Sequence, residues 1–334
     1  MRSITKFSCI DGNTAGNPVR VITSPKLELV GKTMMEKRLH FLKEFDWIRK
    51  GLMFEPRGHD MMSGSFFFHP IDNSNDVSVL FIETSGCLPM CGHGLIGTIT
   101  ILIEEKLVLP KKKGTIRVET PAGLIIAFYT QEAERVTSVK FTNIPSFLYS
   151  EGLKVNHPEL GKLKVDIAYG GNFYAIVDPQ ENFIGIEQYT AGKLIDFSKT
   201  LRTLVNEIQE FIHPEDSNIK GCSHVLWSGK IIDKESTARN AVFYGYKAID
   251  RSPCGTGTSA RMAQWFSKDK LDIASTFVHE SIIGSKFIGT IEKATRVGLL
   301  PAIITSIEGS ARITGYNTIL IDQEDIYAEG FQII

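Results

Sequence analysis

The sequence predicts a mixed α/β (α+β) chain of two pseudo-symmetric halves, each a strand-rich layer wrapped around a central helix, and three observations lead there. At 334 residues the chain exceeds the size at which a single core stops growing. A turn that enters a strand near the N-terminus returns in the second half. A cysteine set against a Gly-x-Gly turn also occurs twice, at Cys91 and Cys254.

The elements follow in order. Gly16-Asn17-Pro18-Val19-Arg20-Val21-Ile22 is echoed by Gly171-Asn172-Phe173-Tyr174-Ala175-Ile176-Val177, an offset of 171 − 16 = 155. Each reads as a turn opening a strand. After the first comes residues 33–48, where Thr33 and Glu36 suggest a capping box and Met35, Leu39, Leu42 and Phe45 fall on one helical face. After the second, Leu194, Phe197, Leu201, Leu204, Ile208 and Phe211 keep the same period. Strand-like runs follow at Val77 to Glu83 and Ala241 to Tyr244. The cysteine turns come next, offset by 254 − 91 = 163. The segment from Gly92 to Lys106 is apolar around most of its circumference, as expected of a helix enclosed by strands. Segments after Phe277 supply further strands. The boundary falls near residues 143 to 165, giving halves at 1–150 and 151–311. Patterning alone leaves open whether the tail of about 312–334 returns to the first half.

Composition excludes several classes. Hydrophobic residues make up 43% and charged residues 22%, as in ordinary soluble domains. Lys plus Arg number 37 against 38 acidic residues, so neither a nucleic-acid footprint nor a membrane-surface patch is expected. The run Lys111-Lys112-Lys113 reads as a solvated turn. The opening residues lack a secretory apolar region, and runs such as Leu95 to Ile103 are too short to span a bilayer. A cytoplasmic enzyme is expected. Five cysteines, an odd number without framework spacing, imply a reducing compartment and free thiols.

A helix N-terminus offers unpaired N–H groups and a positive dipole end, which bind anions and lower the pKa of a nearby thiol. Four rival readings compete. A buried small hydrophobe suits Cys9 better than the paired cysteines. A zinc site could draw on Cys87, Cys91, His93, Cys222 and His224, but its spacing is unusual and it leaves Cys254 idle. A cysteine phosphatase would need an arginine in the loop, whereas Arg261 lies seven residues after Cys254. Neither turn matches a nucleotide-binding fingerprint. The remaining reading uses both halves: two thiols flank a small anion, one removing a proton and the other delivering one to the opposite face.

At "DGNTAGNPVR", "GLMFEPRGHDMMSG", "MCGHG", "DRSPCGTGTSARMA" and "ARITGYNTI" the sequence resembles the proline racemase family, and within it the bacterial 4-hydroxyproline 2-epimerases. The resemblance covers essentially the whole chain. It implies a cofactor-independent epimerase of the diaminopimelate epimerase-like fold, usually a homodimer, with its active site in the cleft between the halves. The implied substrate is a small imino acid, trans-4-hydroxy-L-proline interconverting with cis-4-hydroxy-D-proline. Proline racemisation is the alternative, and a zinc-binding protein without epimerase activity the more distant one. Relatives that dehydrate 3-hydroxyproline commonly carry threonine at the second cysteine, and this chain keeps Cys254.

By resemblance Cys91 is the proton acceptor and Cys254 the donor in one direction, with no metal. Backbone N–H groups of Gly92, His93, Gly255 and Thr256 would face the substrate carboxylate. Asp250 would accept from the ring ammonium, or else cap the helix. His224 is a second substrate contact or a satisfied structural histidine, and Tyr244 a pocket wall or core residue. Ser85 and His93 are candidates for the ring hydroxyl, since a buried hydroxyl needs a partner. Arg57, His59 and Asp60 read as a supporting loop.

Overall fold

The computed structural model describes residues 4–333. The chain divides into two compact units, one formed by the residues up to Phe141 together with those from Gly309 onward, the other by Thr142–Glu308. In the first unit β1 (Ile4–Thr14) and β2 (Asn17–Ser24) form an antiparallel hairpin. Helices α1 (Met34–Glu44) and α2 (Asp46–Met53) lead to β3 (Ser63–Phe68), parallel to β2, and to β4 (Val77–Glu83), antiparallel to β3. The short β5 (Gly86–Leu88) folds back on β4 and delivers the chain into α3 (Gly92–Glu104). A meander of β6 (Thr115–Thr120), parallel to β4, β7 (Gly123–Glu132) and β8 (Arg135–Thr142) follows.

The second unit repeats this order. After β9 (Ser146–His157), the antiparallel pair β10 (Gly161–Tyr169) and β11 (Phe173–Val177) corresponds to β1 and β2. Helix α4 (Ala191–Ile208) and a two-stranded ribbon of β12 (Ile212–His213) and β13 (Asp216–Lys220) are followed by β14 (Cys222–Gly229), parallel to β11. Next come β15 (Ala238–Tyr244), the fold-back β16 (Ala248–Ile249) and α5 (Gly255–Ser267). Strand β17 (Thr276–Glu280) lies parallel to β15 and opens the meander of β18 (Lys286–Val297) and β19 (Leu300–Gly309). Finally β20 (Ala311–Asp322) pairs with β1 from Ile4↔Asp322 to Thr14↔Ala311, as β9 pairs with β10. The sequence echo therefore marks a repeated order of strand pairings.

Each unit encloses one helix. In α3 every residue from Gly92 to Ile103 is buried, so it carries no polar stripe. Its approach to the β1–β2 hairpin admits only glycine at one point: a Cβ on Gly97 would sit 2.7 Å from Thr14 Oγ1 and 2.8 Å from Val19 Cγ2. In the second unit a Cβ on Gly170 would meet Thr256 O at 2.2 Å, which seats the end of β10 against the first turn of α5. Phe197, Leu201, Phe211, Trp227 and Phe243 belong to the second unit's main apolar core, while Phe7, Phe41, Leu52, Phe66 and Leu80 belong to the first's.

The α1 face differs from expectation. Met35 and Leu39 are exposed, whereas Met34 and Phe41 are buried. The inward face carries Arg38, whose Nε donates to Cys87 O at 2.7 Å, so a polar residue occupies a position that hydrophobic periodicity assigns to solvent. Phe45 ends the helix and packs on Phe41 at 6.4 Å. The cap itself forms: Thr33 Oγ1 accepts from Glu36 N at 3.1 Å, and Glu36 Oε2 accepts from Lys32 N, one residue before the position a standard capping box uses. Among the described residues no helix is long and apolar enough to cross a membrane.

Candidate active site

Both cysteines cap a helix with their own sulfur. Cys91 is the N-cap of α3 and Cys254 the N-cap of α5, and each Sγ accepts from the backbone N–H three residues on, Gly94 N and Gly257 N, at 3.4 Å in both cases. In this position sulfur takes the place of a serine or aspartate oxygen. Gly92 and His93 in α3, and Gly255 and Thr256 in α5, fill the first two helical positions, where the helix provides no carbonyl four residues back for their N–H groups. A carboxylate brought to either turn would find unspent donors beside the thiol.

The neighbours of the two sulfurs differ. Around Cys91, Sγ donates to Glu83 Oε1 at 3.2 Å, and His93 Nδ1 stands 3.6 Å away. The imidazole is held from behind, its Nε2 lying 2.9 Å from Ser63 Oγ and 3.3 Å from Asn17 Nδ2, while Thr14 Oγ1 donates to His93 O at 2.9 Å. Burial pushes His93 down to about 4, so the ring is neutral at pH 7. Burial likewise raises Glu83, against the lowering effect of its bonds to Cys91 and Ser85. The motif "DGNTAGNPVR" thus delivers Thr14 and Asn17 to this histidine through the β1–β2 turn.

Around Cys254 the partners are hydroxyls. Tyr174 OH lies 3.3 Å from Sγ and 2.5 Å from Thr256 Oγ1. Cys254 has φ of +66°, a left-handed conformation that costs a non-glycine residue about 1–2 kcal/mol and that clusters at functional positions. The turn is fixed by Asp250, whose Oδ1 accepts from Ser252 N and Ser252 Oγ, both at 2.8 Å. Burial, and secondarily the charge of Asp250, push the Cys254 thiol up to about 12. The lowering expected from the helix N-terminus is therefore outweighed by burial. His224 lies between Tyr174 and Tyr244, ring centroids 4.8 and 6.3 Å away, and bonds Ser223 Oγ through Nδ1 at 2.7 Å. Burial and Arg202 push it down to about 3.

A sequence model of the proline racemase family matches residues 9–332. The chain belongs to that family. It is 62% identical over 329 residues to the 4-hydroxyproline 2-epimerase of Spirosoma linguale, with 98% of each chain covered, and 59% identical over 327 residues to a protein of that name from Brucella suis biovar 1, again with 98% of each covered. Its fold matches the crystal structure of a hydroxyproline epimerase from Agrobacterium vitis with bound trans-4-hydroxy-L-proline, at TM-score 0.86 and 25% identity, over 100% of this chain and 97% of that one. The strand-rich α/β class expected from sequence is thereby established.

Within this member of the proline racemase family the remaining cysteines are core residues. Cys9, Cys87 and Cys222 are buried and free, each pushed up to about 12 by burial. The zinc sets considered from sequence do not assemble among the described residues. The donors that do converge are Glu83, Cys91 and His93, within 4.8 Å of one another. The thiol would have to shed its proton to bind a cation, and all three side chains bond one another or neighbouring hydroxyls. We read them as a hydrogen-bonded trio and assign no metal.

The "EPRGHD" loop ties down the chain's end. Arg57 donates through Nε to Gly51 O at 2.7 Å and through Nη2 to Ala328 O at 2.7 Å. Ser85, expected near the ring hydroxyl, is exposed and bonded to Glu83 at 3.1 Å. Two contacts to the thiols, Glu83 and Tyr174, were not anticipated as functional. The signal for Tyr174 was the echo itself: the repeated Gly-Asn turn that brings Asn17 to His93 brings Tyr174 to Cys254.

Proposed function

We propose that this chain is a 4-hydroxyproline 2-epimerase in which Cys91 and Cys254 work on one carbon. The observation that carries the reading is the matched capping of two helix N-termini by two thiols. In the direction from trans-4-hydroxy-L-proline, Cys91 as thiolate takes the C2 proton, and Cys254 gives its thiol proton to the opposite face, yielding cis-4-hydroxy-D-proline. The roles exchange in reverse. The electron pair left on C2 spreads into the substrate carboxylate, which Gly92, His93, Gly255 and Thr256 N–H groups stabilise; a well-placed donor contributes on the order of 3 kcal/mol. Asp250 accepts from the ring ammonium, and His224 is a second substrate contact.

A cofactor has no part in this chemistry: the ring nitrogen of proline-type substrates is a secondary amine, ill suited to imine formation, and electrostatics carry the carbanion. The five free cysteines support a reducing, cytoplasmic setting, and the family resemblance supports a homodimer.

Proton NMR in deuterated water tests the reading. Loss of the C2–H signal of trans-4-hydroxy-L-proline, with appearance of the cis-D epimer, is expected. A kcat/KM for L-proline equal to or above that for hydroxyproline would make this a proline racemase, and absence of exchange with either would overturn the epimerase reading.

A further inference from the structure

A two-thiol epimerase leaves a problem when product departs. The thiol that took the substrate proton still holds it, while its counterpart has lost one, and the next substrate molecule needs the starting arrangement. Cys91 is 6% exposed, so its proton needs a path outward.

The hydrogen bonds around Cys91 trace one. Cys91 Sγ lies 3.2 Å from Glu83 Oε1, and the other oxygen of that carboxyl, Oε2, lies 3.1 Å from Ser85 Oγ. Ser85 is exposed. Sulfur, carboxyl, hydroxyl and solvent thus follow one another at hydrogen-bond spacing, all supplied by the β4–β5 hairpin and the cap of α3. We propose that Glu83 is a proton relay that resets Cys91 between turnovers, passing its proton to solvent through Ser85. The inference rests on the epimerase reading above.

The step balances. With Glu83 as neutral acid protonated on Oε2, the Cys91 S–H bond breaks as its proton joins Oε1. The Oε2 proton moves to Ser85 Oγ, whose own proton passes to water. The carboxyl ends neutral with its hydrogen on the other oxygen, and Cys91 is a thiolate. Burial, which raises Glu83, favours that neutral starting form. The groups facing the carboxyl are Cys91 and Ser85. His93 stands beyond the sulfur, and the Arg49 guanidinium, paired with Asp46, addresses the Glu83 backbone carbonyl at 2.9 Å. Among the described residues no ion pair holds the carboxyl as a fixed anion.

Glu83→Gln and Glu83→Ala test this in the full-length enzyme. The amide of Glu83→Gln keeps an acceptor for Cys91 and a donor for Ser85 but carries no proton between them. Its kcat at saturating hydroxyproline should fall by about 10²-fold, at the lower end of what a positioned proton carrier supplies, with KM and the urea midpoint unchanged. In Glu83→Ala, added formate should restore kcat in proportion to its concentration, and formate should leave the wild type unaffected. Wild-type kcat in Glu83→Gln, or a loss in Glu83→Ala that formate does not relieve, overturns the relay while leaving the epimerase reading intact. Absence of epimerisation by the wild type overturns the reading first, and the relay with it.

Discussion

Gly94→Ala separates the position of a thiol from the stability of the fold. A Cβ at Gly94 would lie 2.9 Å from Cys91 Sγ, closer than real Cβ atoms come, and 3.3 Å from Cys91 Cβ and Phe81 Cδ1. The sulfur must rotate away, giving up its bond from Gly94 N. That loss is about 0.5–1.5 kcal/mol, and an off-rotamer side chain adds a similar amount. Gly94 lies in the first turn of α3 without a left-handed φ, so alanine recovers about 1 kcal/mol of helix propensity. The net change in stability is therefore small, within about 1–2 kcal/mol.

Activity should not be spared. A misplacement of about 1 Å in a reacting group costs roughly 10²-fold. Urea unfolding measured beside polarimetric epimerisation should show a nearly unmoved midpoint and a kcat lowered about a hundredfold. Gly257→Ala is the graded control, its Cβ at 3.2 Å from Cys254 Cβ and Sγ, and should lose less. Wild-type kcat in Gly94→Ala would refute the claim that the cap fixes the reacting sulfur.

Replacing either Cys91 or Cys254 with serine should lower epimerisation by roughly 10²- to 10⁴-fold, the share of a positioned base or acid, measured by chiral chromatography; near-normal turnover would end the two-thiol reading. Asp250→Asn should lower the pH at which iodoacetamide modifies Cys254, because a charge that pushes the thiol up is removed; peptide mass spectrometry across pH reads the midpoint, and an unmoved or raised midpoint counts against the electrostatic account. Stability should fall on acidification. His93, His224 and the buried His279 of β17 sit at about 4, 3 and 3, below the unfolded value, so the unfolded chain binds protons the fold refuses as pH drops from about 6.5 toward 4. Each contributes up to about 1.4 kcal/mol per pH unit in that window, and urea midpoints at pH 7 and 5 check the sign.

What sequence could reveal divides by the range of the interaction. The helix caps are local: Cys91 to Gly94 and Cys254 to Gly257 span three residues, and the Gly-x-Gly spacing announces them. The enclosed helix is also local, because an apolar circumference from Gly92 to Ile103 leaves no face for solvent. The repeat was readable because two turns and two cysteines recur in order. The partners of the thiols were not. Tyr174 reaches Cys254 across 80 residues and Ser63 reaches His93 across 30, through strand pairings that periodicity does not specify. Glu83 is nearer, but it ends a wholly buried strand and reads there as an unremarkable charged terminus. On α1, Arg38 displaced the expected face because its guanidinium found a backbone carbonyl that sequence cannot locate.

The repeated unit places the two thiols alike but surrounds them differently. Both sulfurs sit where the backbone puts them, at equal distance from an N–H three residues ahead, so their position belongs to the repeated strand–turn–helix unit. Their proton affinities belong to side chains, and these differ: a carboxyl and an imidazole face Cys91, while two hydroxyls and a strained backbone surround Cys254. Substitutions at Gly94 or Gly257 therefore move a sulfur without changing its titrating neighbours. Substitutions at Glu83 or Tyr174 retune a sulfur that stays in place. In the proposed reaction the epimers of 4-hydroxyproline are diastereomers, whose ring hydroxyl would present differently to the two thiols, so nothing in the substrate requires matched environments. A site that binds such a pair gains from thiols tuned separately, and the two-unit fold permits this because each cap is built within its own unit.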